Sequence, residues 1–67
     1  MTTVYVYPSL KLQQLYLQES LLSVFDVKED DIPRLGQAIR LDGKAYKVDR
    51  VERVEERNSC SVFVHHL

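Results

Sequence analysis

Cysteine is almost missing from this chain. Cys60 stands alone, so no disulfide can form within the molecule, and an unpaired thiol suits a reducing compartment better than a secreted one. Glycine is nearly as scarce: Gly36 and Gly43 are the only two, which excludes a glycine-rich phosphate loop. Neither sign of charge prevails. Nine Lys and Arg stand against ten Asp and Glu, for a net charge of −1, so no overall field draws the chain to nucleic acid or to a membrane surface. No apolar run approaches the roughly 18 residues of a membrane span. The opening MTTVYVYP has neither a basic leader nor a long apolar stretch, so no signal peptide is expected and cytoplasmic residence is the expected location.

Size is the next limit. The 67 residues are expected to form one domain, 1–67. A domain this small buries only about 60% of its unfolded surface. Its core supplies about 3–5 kcal/mol unless a disulfide, a metal or a second subunit adds to it. A disulfide is excluded and no metal cluster is visible, which leaves oligomerisation. The composition permits it, with 45% hydrophobic residues. The charge is also unevenly placed, since residues 1–25 carry only Lys11 and Glu19.

Thr2 to Tyr7 alternates β-branched and aromatic residues, with Val4 and Val6 on one side and Tyr5 and Tyr7 on the other. This predicts a strand that Pro8 ends. Ser9 to Phe25 is rich in Leu, Gln, Glu and Lys, which favours a helix with Ser9 as its N-cap. Its apolar residues do not form one stripe. Leu10, Leu17, Leu21, Val24 and Phe25 lie on one side of a helical wheel, and Leu12, Leu15, Tyr16 and Leu22 broadly opposite. A helix apolar all round is buried all round. One side is therefore expected to cover a sheet, and Leu12, Leu15, Tyr16 and Leu22 to meet a second subunit or a target. The competing reading is a strand from Leu10 to Leu17 followed by a short helix from Glu19 to Phe25.

Asp26 to Gly36 reads as an acidic connector in which Pro33 keeps Ile32 out of the helical region. Asp42-Gly43 is a strong hairpin signal, because a type I′ turn needs positive φ at both central residues. A two-residue loop then sets Leu41 opposite Lys44, Ile39 opposite Tyr46 and Gln37 opposite Val48. Ile39, Leu41, Tyr46 and Val48 share an apolar face, and Ala38, Arg40, Ala45 and Lys47 a small basic one. Val48, Val51 and Val54 then recur every three residues, which points to a bulge near Asp49-Arg50, a bend or a helical turn. Asn58-Ser59 marks a further turn. Cys60 to His66 alternates as a last strand, with Cys60, Val62 and Val64 on one face and Ser61, Phe63 and His65 on the other.

Little in this pattern carries chemistry. Cys60, His65 and His66 are the only metal-capable cluster, but neighbouring strand residues point to opposite faces, so both histidines cannot chelate with Cys60. The same three residues are the only nucleophile–base pairing, and Cys60 fits better as a small apolar core residue. No catalytic, metal or cofactor site is expected. The best nucleic-acid signal is the basic hairpin face, Arg40 and Lys47 with Lys44 near the tip and Arg50 beyond, although Asp42, Asp49 and Glu52 interleave with it.

The run IPRLGQAIRLDGKAYKVDRV resembles the entry of SH3-like small barrels, where a proline–glycine lead-in precedes a short strand, a tight turn and a Tyr-x-Val strand. Pro33, Gly36, Ile39, Leu41, Gly43, Tyr46 and Val48 take those places. The resemblance implies a small all-β barrel and transfers no catalytic or binding residue.

The expected fold is α+β, a single β-α-β-β-β domain with one helix packed on an antiparallel sheet; the alternative is the small barrel. The expected function is a non-enzymatic protein–protein interaction module. It would be a homodimeric regulator or inhibitor that occludes a larger partner. The alternative is a nucleic-acid-binding module using the basic face of the 37–48 hairpin.

Overall fold

A computed structural model describes residues 1–9 and 21–67. These form five strands: β1 (Thr2–Pro8), β2 (Ser23–Val27), β3 (Ala38–Leu41), β4 (Lys44–Val54) and β5 (Ser59–His66). Short 3-10 turns at Glu29–Asp31 and Glu55–Arg57 link them. The strands make one sheet of order β2-β1-β5-β4-β3, curled into a half-barrel. All neighbours are antiparallel except β1 and β5, the first and last strands, which run parallel at the centre.

The two central strands carry the strictest alternation, and that is why they are central. In β1, Thr2, Val4, Val6 and Pro8 are buried and the residues between them are half-exposed. In β5, Cys60, Val62 and Val64 are buried on the same face. Register pairs Val4 with Cys60, Val6 with Val62 and Pro8 with Val64. Val48 and Tyr46 from β4 complete the core, and Phe25, Val27, Leu22, Ile32, Ile39, Leu41 and Val51 pack around it. Full burial of a valine is worth about 1.5 kcal/mol or more, so five such valines (Val4, Val6, Val48, Val62 and Val64) outweigh any single surface contact.

The expected α+β arrangement is not the observed one. No α-helix packs on the sheet among the described residues; the tail of the predicted helix, Ser23 to Phe25, and the first two residues of the predicted connector, Asp26 and Val27, together form strand β2. It pairs with β1, placing Val4 beside Phe25 and Val6 beside Ser23. The physical reason is tertiary. Without β2, β1 would be a bare edge with exposed backbone donors and acceptors, and that cost overrides a weak helical propensity. The Glu19–Phe25 helix of the competing reading fails for the same reason, since Leu21 and Leu22 are irregular and strand follows. The rest of both readings, residues 10–20, lies outside the described residues. Among the described residues the alternative small barrel is not closed either: the sheet is almost all-β but stops at a half-barrel, with β2 and β3 as its unjoined edges. Pro8 is the last residue of β1, as expected, although the Ser9 N–H carries the ladder one step further by donating to the Val64 carbonyl at 2.8 Å.

The hairpin has the expected register, Leu41 to Lys44 and Ile39 to Tyr46. Backbone bonds extend it: Val48 N–H donates to the Gln37 carbonyl and Gly36 N–H to the Val48 carbonyl, both at 2.9 Å. Asp42 and Gly43 both have positive φ, 51° and 80°. Of the readings left open after Val48, the bulge is the one observed. Val48 pairs with Val64 and Arg50 with Phe63, leaving Asp49 as the extra residue. That insertion explains the three-residue spacing: Val51 returns to the inner face opposite Val62, while Val54, three further on without a second bulge, faces outward and is 42% exposed.

A Cβ at position 43 would meet no atom within 4 Å, so its penalty is purely conformational. Gly43→Ala is expected to cost about 1 kcal/mol, read as a lower urea midpoint with an unchanged denaturant slope.

Candidate interaction face

The outer face of the sheet collects what the inner face rejects. From β1 it takes Thr3, Tyr5 and Tyr7, and from β2 Val24 and Asp26. From β5 it takes Ser59, Ser61, Phe63 and His65, from β4 Ala45, Lys47, Arg50 and Glu52, and from β3 Ala38 and Arg40. Register aligns Tyr7, Phe63 and Arg50 in one row across three adjacent strands. The Tyr7 and Phe63 rings stack with centroids 5.6 Å apart and planes 25° from parallel. The Arg50 guanidinium carbon lies 4.3 Å from the Phe63 centroid, a cation–π contact. Because β1 and β4 flank β5 on opposite sides, Tyr7 and Arg50 occupy opposite faces of Phe63. Tyr7 and Phe63 are half-buried and Arg50 is exposed.

The bulge is what builds this row. In a regular strand, Arg50 would share the inner face with Val48. The extra residue Asp49 moves it outward onto Phe63, beside Lys47. Asp49 itself is taken by His65, with Oδ1 2.6 Å from Nδ1. Glu52 lies 3.7 Å from Arg50, an exposed pair of small energetic weight. Arg40 and Lys47 make no ion pair among the described residues.

Of the basic residues read from sequence, Arg40, Lys47 and Arg50 therefore share the outer face. Lys44 does not: it pairs with Leu41 at the hairpin tip and belongs to the inner-face set. Of the expected partner-binding residues, Leu12, Leu15 and Tyr16 lie outside the described residues. Leu22 is half-buried against the core, and its N–H donates to the Val6 carbonyl at 2.7 Å.

Two other places hold reactive or charged groups. Cys60 is fully buried in the core. Desolvation pushes its thiol above the usual range; Arg53 partly offsets this and Glu29 adds to it. Beside Cys60, at the end of the sheet where Arg53 pairs with it, a cleft of about 240 Å³ is lined by Thr2, Glu29, Arg53, Val54, Glu55, Asn58 and Ser59. Its principal charges satisfy each other. Arg53 is ion-paired with Glu29, whose other oxygen accepts from Thr2 Oγ1 at 3.4 Å. The Glu29 carboxylate raises the pKa of the Arg53 guanidinium through that hydrogen bond and its charge. The two histidines diverge as the strand geometry requires: His65 meets Asp49, and the His66 ring lies 4.8 Å from that of Tyr46. Among the described residues, no three His, Cys, Asp or Glu side chains converge on a possible metal position, and no helix is long and apolar enough to cross a membrane.

Comparison with family models, with curated proteins and with solved structures finds no match. The Tyr7–Phe63–Arg50 row was not read from sequence. Alternation assigns Tyr7 and Phe63 to the outer sides of their strands, but their meeting depends on pairing the first strand with the last, and no local pattern encodes that.

The raised thiol pKa has a stability consequence of defined sign. The native state holds Cys60 as neutral thiol, while the unfolded chain ionises near pH 8.5. The contribution is therefore complete below that pH and is lost as pH rises through it toward the higher native value. Stability should fall more steeply above about pH 8.5 in the wild type than in Cys60→Val, measured by urea unfolding across the alkaline range.

Proposed function

We infer that this chain is a non-enzymatic protein-interaction module that works through the outer face of its sheet, as a small regulator or inhibitor covering part of a larger partner. One observation carries the reading: the Tyr7–Phe63–Arg50 row, half-exposed and held in fixed order by mutual stacking. Tyrosine, phenylalanine and arginine are the residues enriched at interface centres. Aromatic anchors immobilised before binding lose little conformational freedom on docking. Val24 and Val54 lie on the same face and are 46% and 42% exposed. Burial of Cys60, which any nucleophilic reading would need, supports the same conclusion. Of the surface expected on Leu12, Leu15, Tyr16 and Leu22, only Leu22 lies among the described residues, half-buried against the core.

Affinity capture from the native cell, read by mass spectrometry, tests this. A partner retained by the wild type and by Arg57→Ala should be lost with Arg50→Glu and with Phe63→Ser. An identical set captured by all four baits would reject the outer-face reading.

A second reading has its own support. Arg40, Lys47 and Arg50 share one face, and two of them make no ion pair among the described residues, so a single-stranded nucleic acid could track along it. With both faces of Phe63 occupied, contact would be to phosphates rather than by base stacking. Three neutralised phosphates give a log–log salt slope of about −2 for a single strand. Anisotropy with a labelled oligonucleotide should show that slope and a reduced one in Lys47→Glu. No binding at about 50 mM salt dismisses the reading.

A further inference from the structure

Among the described residues, the sheet ends in two strands whose outer edges carry no further partner: β2 is hydrogen-bonded to β1 alone and β3 to β4 alone. Such edges offer rows of backbone donors and acceptors to another strand. Four features make the two edges complementary to each other rather than to themselves.

The first is direction. β2 runs against β1, β1 runs with β5, β5 against β4, and β4 against β3, so β2 and β3 are opposed. A two-fold axis along the strands preserves direction. It sets the β2 of one copy antiparallel to the β3 of the other at both junctions. The second is curvature, because the sheet is already bent into a half-barrel. The third is the inner face. Phe25 and Val27 beside one edge and Ile39 and Leu41 beside the other are only partly buried within one copy, so the apolar lining reaches both edges unfinished. The fourth is charge on the outer face, where β2 presents Asp26 and β3 presents Arg40, both exposed. Asp26 accepts from Thr3 Oγ1 of the neighbouring β1 at 2.7 Å. Pairing like edges would bring two copies of Asp26, or two of Arg40, to one junction.

We propose that two copies of this chain join by antiparallel pairing of β2 with β3 at both junctions, merging two half-barrels into one ten-stranded barrel. Each junction is heterologous, β2 against β3, and the two-fold axis makes the two junctions equivalent, so the ring closes at two chains. It also supplies the second subunit that so small a core calls for. This goes beyond the outer-face reading and does not rest on it. The residues involved (Val24, Asp26, Ala38 and Arg40) exclude Tyr7, Phe63 and Arg50, so either idea can fail alone.

The test uses the full chain and two charge-reversed variants. One carries Ala38→Glu with Arg40→Glu, making both its edges acidic. The other carries Val24→Lys with Asp26→Lys, making both basic. Light scattering of the wild type should give twice the 7.8 kDa chain mass, while each variant alone gives the single-chain mass. An equimolar mixture of the variants should restore the doubled mass, because each junction again joins opposite charges. Hydrogen exchange on the unaltered protein gives a reading that does not depend on variant folding. Outward-pointing amides of residues 23–27 and 38–41 should become protected as concentration rises toward about 1 mM. A wild type that stays single-chain at that concentration, edge amides whose protection does not change, or a variant that still self-associates alone each overturns the proposal.

Discussion

The parallel pairing of β1 with β5 is the contact on which the rest of the structure depends. It joins the two ends of the chain at the centre of the sheet, packing Val4 and Val6 against Cys60 and Val62. On its own, β1 with β2 is a two-stranded ribbon, marginal in water. The meander β3-β4-β5 would have one apolar face and nothing beside its last strand. Joined, they share one core. The cost is the closure of a loop of more than fifty residues, which grows only slowly with length but places this pairing among the slow, non-local events of folding.

The second constraint is the bulge at Asp49. A regular strand would have sent Arg50 inward, where no described acidic group waits and burial of a lone guanidinium is costly. The inserted residue restores Val51 to the core and puts Arg50 on Phe63. A single added residue thus keeps the inner face apolar and gives the outer face its cation. Asp49, the residue displaced from the ladder, finds a partner in His65. Re-aiming of side chains is the recurrent use of such irregularities.

The two faces divide the work. Among the described residues, the inner face holds the buried valines, Tyr46 and Cys60. The outer face holds aromatic edges, arginine, lysine and scattered carboxylates. In its row of stacked side chains each member contacts the one on the strand next to it. The neutral charge balance of the chain as a whole conceals a local ordering. Arg40, Lys47 and Arg50 gather toward the hairpin end of the outer face, while Asp26 and Glu52 lie toward the other.

Much of the local structure was legible from residues close together in the chain. The Asp42-Gly43 turn and its register, the inward valines of β1 and β5, the burial of Cys60 and the Asn58 turn follow from period-two alternation and from the φ preferences of a few residues. Those are short-range effects, and the sequence states them directly. What local pattern could not state was partnership. The Ser9–Phe25 segment read as helix by propensity, yet Ser23–Val27 became a strand because β1 needed a neighbour. Three valines at a spacing of three could not say whether the strand bulged or bent until β5 was laid beside it. The Tyr7–Phe63–Arg50 row and the two opposed edges exist only because the first and last strands meet. So composition and alternation determined which residues are buried, and tertiary pairing decided which exposed ones stand together. Burial depends on each side chain's own cost in water, whereas adjacency across a sheet depends on every backbone hydrogen bond finding a mate.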